Sequence, residues 1–330
     1  MPILVTGATG LVGNNVVRHL LSLGRDVRVL VRREAELRPL AGLTVETAYG
    51  DVRDATSVEK ACDGVSAVIH SAAYLHIGRD RIDLQREINV TGTRNVARAA
   101  KKAQARLLHI STINALDVSP DKVPLDETTP GGRNTDCGYV RTKQEAEGVV
   151  RELIADGLDA IIVNPAFMLG PWDWKPSSGR MFIEVVQKQP LLAPRGGLST
   201  CDVEDVAEAL VTALERAPAG RQYILGGHNV TYFELWCRMA RCAGSRPPFG
   251  RIGPIIGWAA GRFGDLRGRL NGTEGDLNSA GVRMSGLYHF YDSSRAMAEL
   301  SYCIRPLEET LHRAYTWLVA QHFLAGSSRT

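Results

Sequence analysis

The run Thr6-Gly7-Ala8-Thr9-Gly10-Leu11-Val12-Gly13 narrows the folds open to this chain more than any other stretch. It joins a β-rich segment, Ile3–Thr6, to an apolar pattern of helical period from about Leu11 to Leu23, and a second strand pattern follows at Val27–Val31. Gly24 stands where a helix ends in a left-handed residue, and Asp26 begins the return. The unit reads as βαβ. In its first turn, glycines allow a tight bend, close approach of a pyrophosphate and close packing of strand on helix, while the helix amino terminus offers unpaired N–H groups. A Gly-x-x-Gly pattern alone is weak evidence, and a glycine-rich turn that binds nothing is the plain alternative. Placement in the first βα turn favours a dinucleotide.

The alternation continues along the first half. Strand patterns fall at Thr44–Ala48, Ala67–His70, Leu107–Ser111 and Ala160–Asn164, separated by helical patterns at Ser57–Cys62, Ile82–Lys102 and Tyr139–Ala155. Ala67-Val68-Ile69 and Ala160-Ile161-Ile162-Val163 are unbroken apolar runs, as strands covered by helices on both faces require. The expected fold class is α/β, a doubly wound parallel Rossmann sheet with a smaller, interleaved carboxyl-terminal substrate-binding region. After Pro165 the rhythm changes, with Pro171, Pro176, Pro190 and Pro194 breaking the chain. Helical patterns return at Val203–Glu215, Tyr232–Ala243, Ser294–Leu300 and Leu307–Phe323, whereas Gly/Arg/Asn-rich sequence from Gly261 to Gly286 reads as loops or a mobile cover. Residues 1–166 are therefore assigned to dinucleotide binding and the reactive residues, and 167–330 mainly to substrate, with some segments returning to the first unit.

At 330 residues the chain has room for such an extended architecture. Hydrophobic content of 44% and charged content of 23% argue against disorder, and a net charge of +3 is too small to imply a nucleic-acid surface. The partner expected is a small molecule. Six cysteines without a C-x-x-C pair read as reduced packing residues, and with no basic and apolar leader at the amino terminus the expected location is cytoplasmic. Ile252–Ala260 is the most apolar late stretch, but it holds Pro254 and Gly257 and falls short of the ~20 residues needed to cross a bilayer. It reads as a substrate-covering or membrane-touching flap rather than a span. No metal site is expected.

At the end of the second strand, where an acidic residue commonly meets the adenosine ribose, stand Arg32 and Arg33. Guanidinium donors there favour NADP(H), whose 2′-phosphate they pair, although Glu34 keeps NAD(H) open. Asp51 and Val52 follow the third strand, where a carboxylate accepts the adenine amino group or simply caps a turn. His70 ends the fourth strand and reads as packed, and the small residues Ser71, Ala72 and Ala73 let backbone pass close to the cofactor.

Tyr139 and Lys143 lie four apart in a helical pattern and so share a face. A phenol titrates near ~10, and a neighbouring ammonium together with a cationic nicotinamide lowers that value toward working pH. Tyr139 then exchanges the proton of a carbonyl or alcohol oxygen, with Lys143 holding the nicotinamide ribose. Ser111 and Thr112 place hydroxyls at the carboxyl end of the fifth strand, where doubly wound sheets put ligands. Thr112 either polarises the substrate oxygen or satisfies the turn.

With these motifs the chain resembles the extended short-chain dehydrogenase/reductase family, over nearly its whole length. The likeness also includes Asn89 in Ile88-Asn89-Val90-Thr91-Gly92-Thr93, Asn164-Pro165-Ala166 and Asp202-Val203-Glu204-Asp205-Val206-Ala207. Phe167-Met168-Leu169-Gly170-Pro171, the Trp172–Arg180 run and Tyr291-Asp292-Ser293-Ser294-Arg295-Ala296 are similar to its dihydroflavonol reductase-like and hopanoid-associated epimerase-like branch. The resemblance implies catalysis by Thr112, Tyr139 and Lys143, Asn89 in a supporting relay, and Asn164, Pro165 and Ala166 near the nicotinamide. Thr112 departs from the serine often found there but keeps the hydroxyl. For substrate, Tyr74, Phe167, Met168, Trp172 and Trp174 are expected to wall the nicotinamide, with Phe167 also touching the cofactor. Lys175, Arg180 and Arg195 are candidates for an anionic handle. The reading is an NADP(H)-dependent reductase/dehydrogenase acting on a ketone or secondary alcohol, as monomer or homodimer. A nucleotide-sugar epimerase or dehydratase, or an NADP(H)-sensing regulatory protein, are the alternatives.

Overall fold

The structure, a computed structural model, describes residues 1–78, 80–119, 122–129, 137–275 and 277–325. The first half runs β1 (Ile3–Thr6), α1 (Leu11–Ser22), β2 (Val27–Val31), β3 (Glu46–Tyr49), α2 (Ala55–Cys62), β4 (Ala67–His70), α3 (Ile82–Arg86), α4 (Gly92–Lys102), β5 (Arg106–Ile110), α5 (Gly138–Ala155) and β6 (Ala160–Pro165). The second half follows with β7 (Phe167–Leu169), α6 (Gly179–Lys188), β8 (Leu192–Ala193), β9 (Gly197–Asp202), α7 (Val203–Arg216), β10 (Gln222–Leu225), β11 (His228–Thr231), α8 (Tyr232–Cys242), β12 (Gly250–Arg251), α9 (Pro254–Asn271), α10 (Ser279–Ser285), β13 (Tyr288–His289), α11 (Ser294–Leu300) and α12 (Leu307–Ala320).

Seven strands form one parallel sheet in the order β10-β6-β5-β4-β1-β2-β3. Because side chains alternate along a strand, each unbroken apolar run feeds two cores. Val5, Ile69, Leu108, Ile161 and Val163 face the α1 and α7 side, while Leu4, Val68, Leu107, Ala160 and Ile162 face α2, α4 and α5. The strand order reverses at β1, which lies between β2 and β4 and thereby opens a crevice at its carboxyl end. The seventh strand, β10, comes from the second half of the chain and pairs β6.

A second sheet centres on β9, with β11 antiparallel to it and β7 and β13 parallel. Its apolar side packs with α6, α8 and α12 around Phe182, Leu235, Met239 and Leu311.

The expectation of loops across Gly261–Gly286 is corrected: this segment holds most of α9 and all of α10. Pro254 starts α9 at a position where its missing N–H costs nothing, and Gly272, at φ 69°, ends it. The glycines inside α9 disfavour a helix by propensity but let the following segment approach its axis. A Cβ at Gly264 would stand 1.9 Å from the Leu277 carbonyl oxygen, and one at Gly261 would stand 3.1 Å from Ser279 Cα. Tertiary packing overrides local preference here. Among the described residues no helix is long and apolar enough to cross a membrane, none of the six cysteines is bridged, and no cluster of metal-ligating side chains occurs.

Candidate active site

The crevice at the β1/β4 switch is lined by backbone. Gly7 turns with φ 71°, and a Cβ there would lie 2.7 Å from Ala72 N and from Ser71 C. At Gly13 a Cβ would lie 2.3 Å from the Gly7 carbonyl oxygen, so α1 can pack this close to the turn only with glycine. Gly10 caps α1 without a side chain, leaving the first-turn amides open toward the crevice. Around them lies a cleft of about 270 Å³, lined by Gly7, Ala8, Thr9, Gly10, Leu30, Val31, Arg32, Ala35, Gly50, Asp51, Val52, Ser71, Ala72, Ala73, Tyr74, Ile88 and Lys175. Leu11 and Gly13 are buried in the helix start and Val12 packs against the core.

A directed hydrogen-bond chain ties this crevice to α5. Ala72 N–H donates to Thr6 Oγ1 at 3.3 Å, and Thr6 Oγ1 lies 2.7 Å from His70 Nδ1. On the other ring edge His70 Nε2 is 3.0 Å from Thr93 Oγ1, which donates to the Asn89 carbonyl oxygen at 2.6 Å. Thr93 spends its proton on Asn89 and so accepts from His70, which fixes the imidazole as the neutral Nε2–H tautomer. Burial pushes His70 down to about 3, consistent with a neutral ring at every working pH. Asn89 lies in a single π-turn, Glu87–Thr91, between α3 and α4. Its amide donates to Thr142 Oγ1 and the Tyr74 carbonyl oxygen, both at 3.0 Å, and its oxygen accepts from Tyr74 N–H at 2.7 Å. Thr142 Oγ1 donates to the Tyr139 carbonyl oxygen at 3.1 Å.

Tyr139 and Lys143 are both buried on one face of α5. Burial pushes the Tyr139 phenol up to about 12, opposed by a side-chain hydrogen bond with Thr112. The sequence expectation of a phenol lowered by Lys143 is not met in the protein alone, because desolvation outweighs everything else acting on it. Burial also brings the Lys143 ammonium down to about 8, opposed by Glu147, and Nζ donates to the Ile110 carbonyl oxygen at 2.8 Å. Asn164 is fully engaged. Its amide donates to the Thr112 carbonyl oxygen at 2.9 Å and to Glu147 Oε1 at 2.6 Å, while its oxygen accepts from Gln222 at 2.7 Å. Asn164 therefore fixes the strand end that carries Thr112. Pro165 closes β6, and Ala166 N–H donates to Leu225 at 2.9 Å.

Several expected contacts are placed elsewhere. Arg32 lines the cleft, but the Arg33 guanidinium lies 5.4 Å over the Tyr49 ring and is absent from the lining. Asp51 lines it while paired to Arg53 at 2.9 Å. Trp172 and Trp174 do not wall this cleft: they pack on Trp317, with ring centroids 6.4 and 5.4 Å away, and Arg18 covers Trp172 at 3.3 Å. Large aromatic faces bury against one another more favourably than they stand open. Phe167 and Met168 form β7 against the two cores, and Arg180 pairs Glu184 along α6 at 3.3 Å.

Lys175, one of the three candidates for an anionic handle, lines the cleft beside the glycine turn residues Gly7, Thr9 and Gly10. Its loop is rigidly built. Asn15 donates to the Pro171 carbonyl oxygen at 3.0 Å, Trp172 holds a left-handed backbone with φ 70°, and buried Asp173 accepts from the backbone N–H groups of Ser177 and Gly179.

The sequence model of the NAD dependent epimerase/dehydratase family matches residues 3–226. The chain belongs to this family. Over 238 residues it is 35% identical to sterol demethylase protein B of Methylococcus capsulatus, covering 71% of this chain and 72% of that one. It is 32% identical over 324 residues to a putative dihydroflavonol 4-reductase of Synechocystis, covering 95% and 93%. The solved structure of a nucleoside-diphosphate-sugar epimerase from Pseudomonas aeruginosa superposes with a TM-score of 0.82 at 25% identity, covering 98% and 99%. The protein is an NAD(P)-dependent oxidoreductase of the extended short-chain dehydrogenase/reductase type. Its own residues fit the family's cofactor. A tight turn that a Cβ at Gly7 or Gly13 would obstruct meets open helix amides, and Ser111 Oγ at the end of β5 is buried with no hydrogen-bond partner among the described residues.

Proposed function

We propose that the protein is an NADP(H)-dependent reductase/dehydrogenase that interconverts a ketone and a secondary alcohol on a small, partly apolar molecule. The observation that carries this reading is the burial of Tyr139 and Lys143 one turn apart on the same face of α5, with the Thr112 side chain at the end of β5 near enough to pull the phenol's pKa down against burial. The nicotinamide cofactor, when bound, exchanges hydride with the substrate carbon. Tyr139 Oη gives the substrate oxygen its proton, and Thr112 Oγ1 holds that oxygen in line with the phenol. A phenol pushed up to about 12 is protonated throughout the physiological range, the state in which it can donate to the oxygen of a carbonyl being reduced. Lys143, brought down to about 8, carries a proton more acidic than the phenol one turn away and can restore the proton to Tyr139. Asn89 ties the Tyr74 backbone to Thr142 on α5.

NADP(H) is favoured over NAD(H) because a guanidinium, Arg32, stands at the end of β2 in the lining of the cleft. Support for net reduction over epimerisation comes from the relative named as a putative dihydroflavonol 4-reductase, which matches across 95% of this chain. The test is a panel of ketones and secondary alcohols assayed with NADPH and NADH, counting cofactor consumed per substrate converted. One cofactor per turnover is expected. Conversion of a sugar nucleotide without net cofactor consumption would replace this reading with epimerisation, and cofactor binding without turnover on the whole panel would replace it with sensing.

A further inference from the structure

Helix α9 is built inside out. Its glycines Gly257, Gly261, Gly264 and Gly268 face α10 and the segment before it, closely enough at Gly261, Gly264 and Gly268 to crowd a Cβ. At 100° per residue the opposite side is a continuous apolar stripe. It carries Ile255, Ile256, Phe263, Leu266 and Leu270, exposed at 80, 59, 64, 55 and 78%, with Trp258 at its edge at 65%. Single exposed apolar residues are ordinary, but a stripe along an entire helix is not.

Charge on this helix is equally one-sided. Arg262 and Arg269 flank the stripe on the Trp258 side and Arg267 flanks it on the other, all three exposed and with no carboxylate partner among the described residues. The Arg262 guanidinium lies 5.7 Å from the Trp258 ring. Asp265, the sole acid of α9, turns inward and accepts from Ser279 N–H and Oγ. The outer face therefore presents bulky apolar groups bordered by cations only. Arginine stems can lie along apolar surface while their heads reach outward to anions.

We propose that the outer face of α9 docks on an anionic lipid surface, with the helix lying in the headgroup plane and Arg262, Arg267 and Arg269 meeting lipid phosphates. An 18-residue helix, about 27 Å long, presents this face without needing to cross the bilayer. A second copy of the chain fits less well, because a symmetric contact would set the arginines against one another. The hairpin is also braced on the loop that leads from the cofactor crevice to α3. Asn278 donates to the Ile77 carbonyl oxygen at 2.8 Å, and Glu274 Oε2 accepts from Asp80 N–H at 2.9 Å and lies 3.2 Å from His76 Nε2. Docking would therefore anchor the protein beside its own reaction site, whichever substrate that site takes.

The test is cosedimentation of the full chain with vesicles of equal parts phosphatidylcholine and phosphatidylglycerol, against vesicles of phosphatidylcholine alone. Binding is expected to the mixed vesicles, to weaken with added salt, and to fall about tenfold or more in the double variant Phe263→Glu/Leu266→Glu and in Arg267→Glu/Arg269→Glu. Trp258 is the exposed tryptophan among the described residues, so a blue shift lost in Trp258→Phe would report its entry into the interface. Protein left in the supernatant with mixed vesicles, or variants that bind as wild type does, would overturn the proposal. So would a dimer in solution that both double variants dissolve, which would give this face to a second copy.

Discussion

The ammonium of Lys143 donates to the carbonyl oxygen of Ile110 at 2.8 Å from a fully buried position on α5. One hydrogen bond and a neighbouring carboxylate, Glu147, do not offset the loss of water, and the group is brought from 10.5 down to about 8. Between those values the unfolded chain holds a proton that the folded chain has released, so stability rises with pH across that window. Below about pH 8 the buried charge costs roughly 3 kcal/mol. Lys143→Met is therefore expected to abolish turnover and yet raise Tm at pH 7, with the gain shrinking as pH approaches 10. Thermal unfolding across pH checks this; a lowered Tm at pH 7 would show that the hydrogen bond outweighs the desolvation.

Removing the Tyr139 hydroxyl takes away the proposed proton donor and leaves the ring that fills its site. Tyr139→Phe is expected to lower kcat by about 10²-fold or more while leaving cofactor affinity within about twofold. Steady-state kinetics beside a cofactor titration separates the two. Thr112→Ser keeps the hydroxyl and is expected to retain most activity, whereas Thr112→Val is not.

The parallel sheet was legible because buried strands write themselves as unbroken apolar runs: β1, β2 and β4 have the bounds read from sequence, and α1, α5 and α7 differ by one residue at an end. The glycine turn was legible because steric limits at Gly7 and Gly13 leave no other residue type. Long-range choices were not. Nothing local says that Arg32 faces the cleft while Arg33 turns onto Tyr49, or that Trp172 and Trp174 find Trp317, which lies on the last helix. Glycines in α9 carry the same letters as loop glycines; only the approach of Leu277 and Ser279 distinguishes them. Gly264→Ala is accordingly expected to destabilise the protein by about 1–3 kcal/mol rather than to stabilise the helix, as measured by denaturant unfolding.

Arg32 lines the cleft and Arg33 does not, so cofactor choice should respond to the first and not to the second. Arg32→Asp is expected to weaken NADPH binding by about tenfold or more and leave NADH binding equal or improved. Arg33→Ala is expected to change the NADPH affinity by less than about threefold. Equal losses for the two substitutions would place the 2′-phosphate outside the cleft as described.

Lys175 tests how the second half of the chain closes on the first. Its loop is fixed at Pro171 by Asn15, at Trp172 by Arg18 and at Ser177 and Gly179 by Asp173, so the lysine is carried to the glycine turn by a built support. No carboxylate pairs with it among the described residues, and it lines the cleft together with Gly7, Thr9 and Gly10. A cation there would meet the phosphates common to both nicotinamide cofactors if they lie along the glycine turn. Lys175→Ala is expected to weaken NADPH and NADH alike, by about tenfold, and more steeply at low salt. That pattern differs from the one expected for Arg32→Asp, which separates the two cofactors. Isothermal titration with each cofactor at two salt concentrations distinguishes a diphosphate clamp from a 2′-phosphate reader, and unchanged affinity for both would return Lys175 to the solvent.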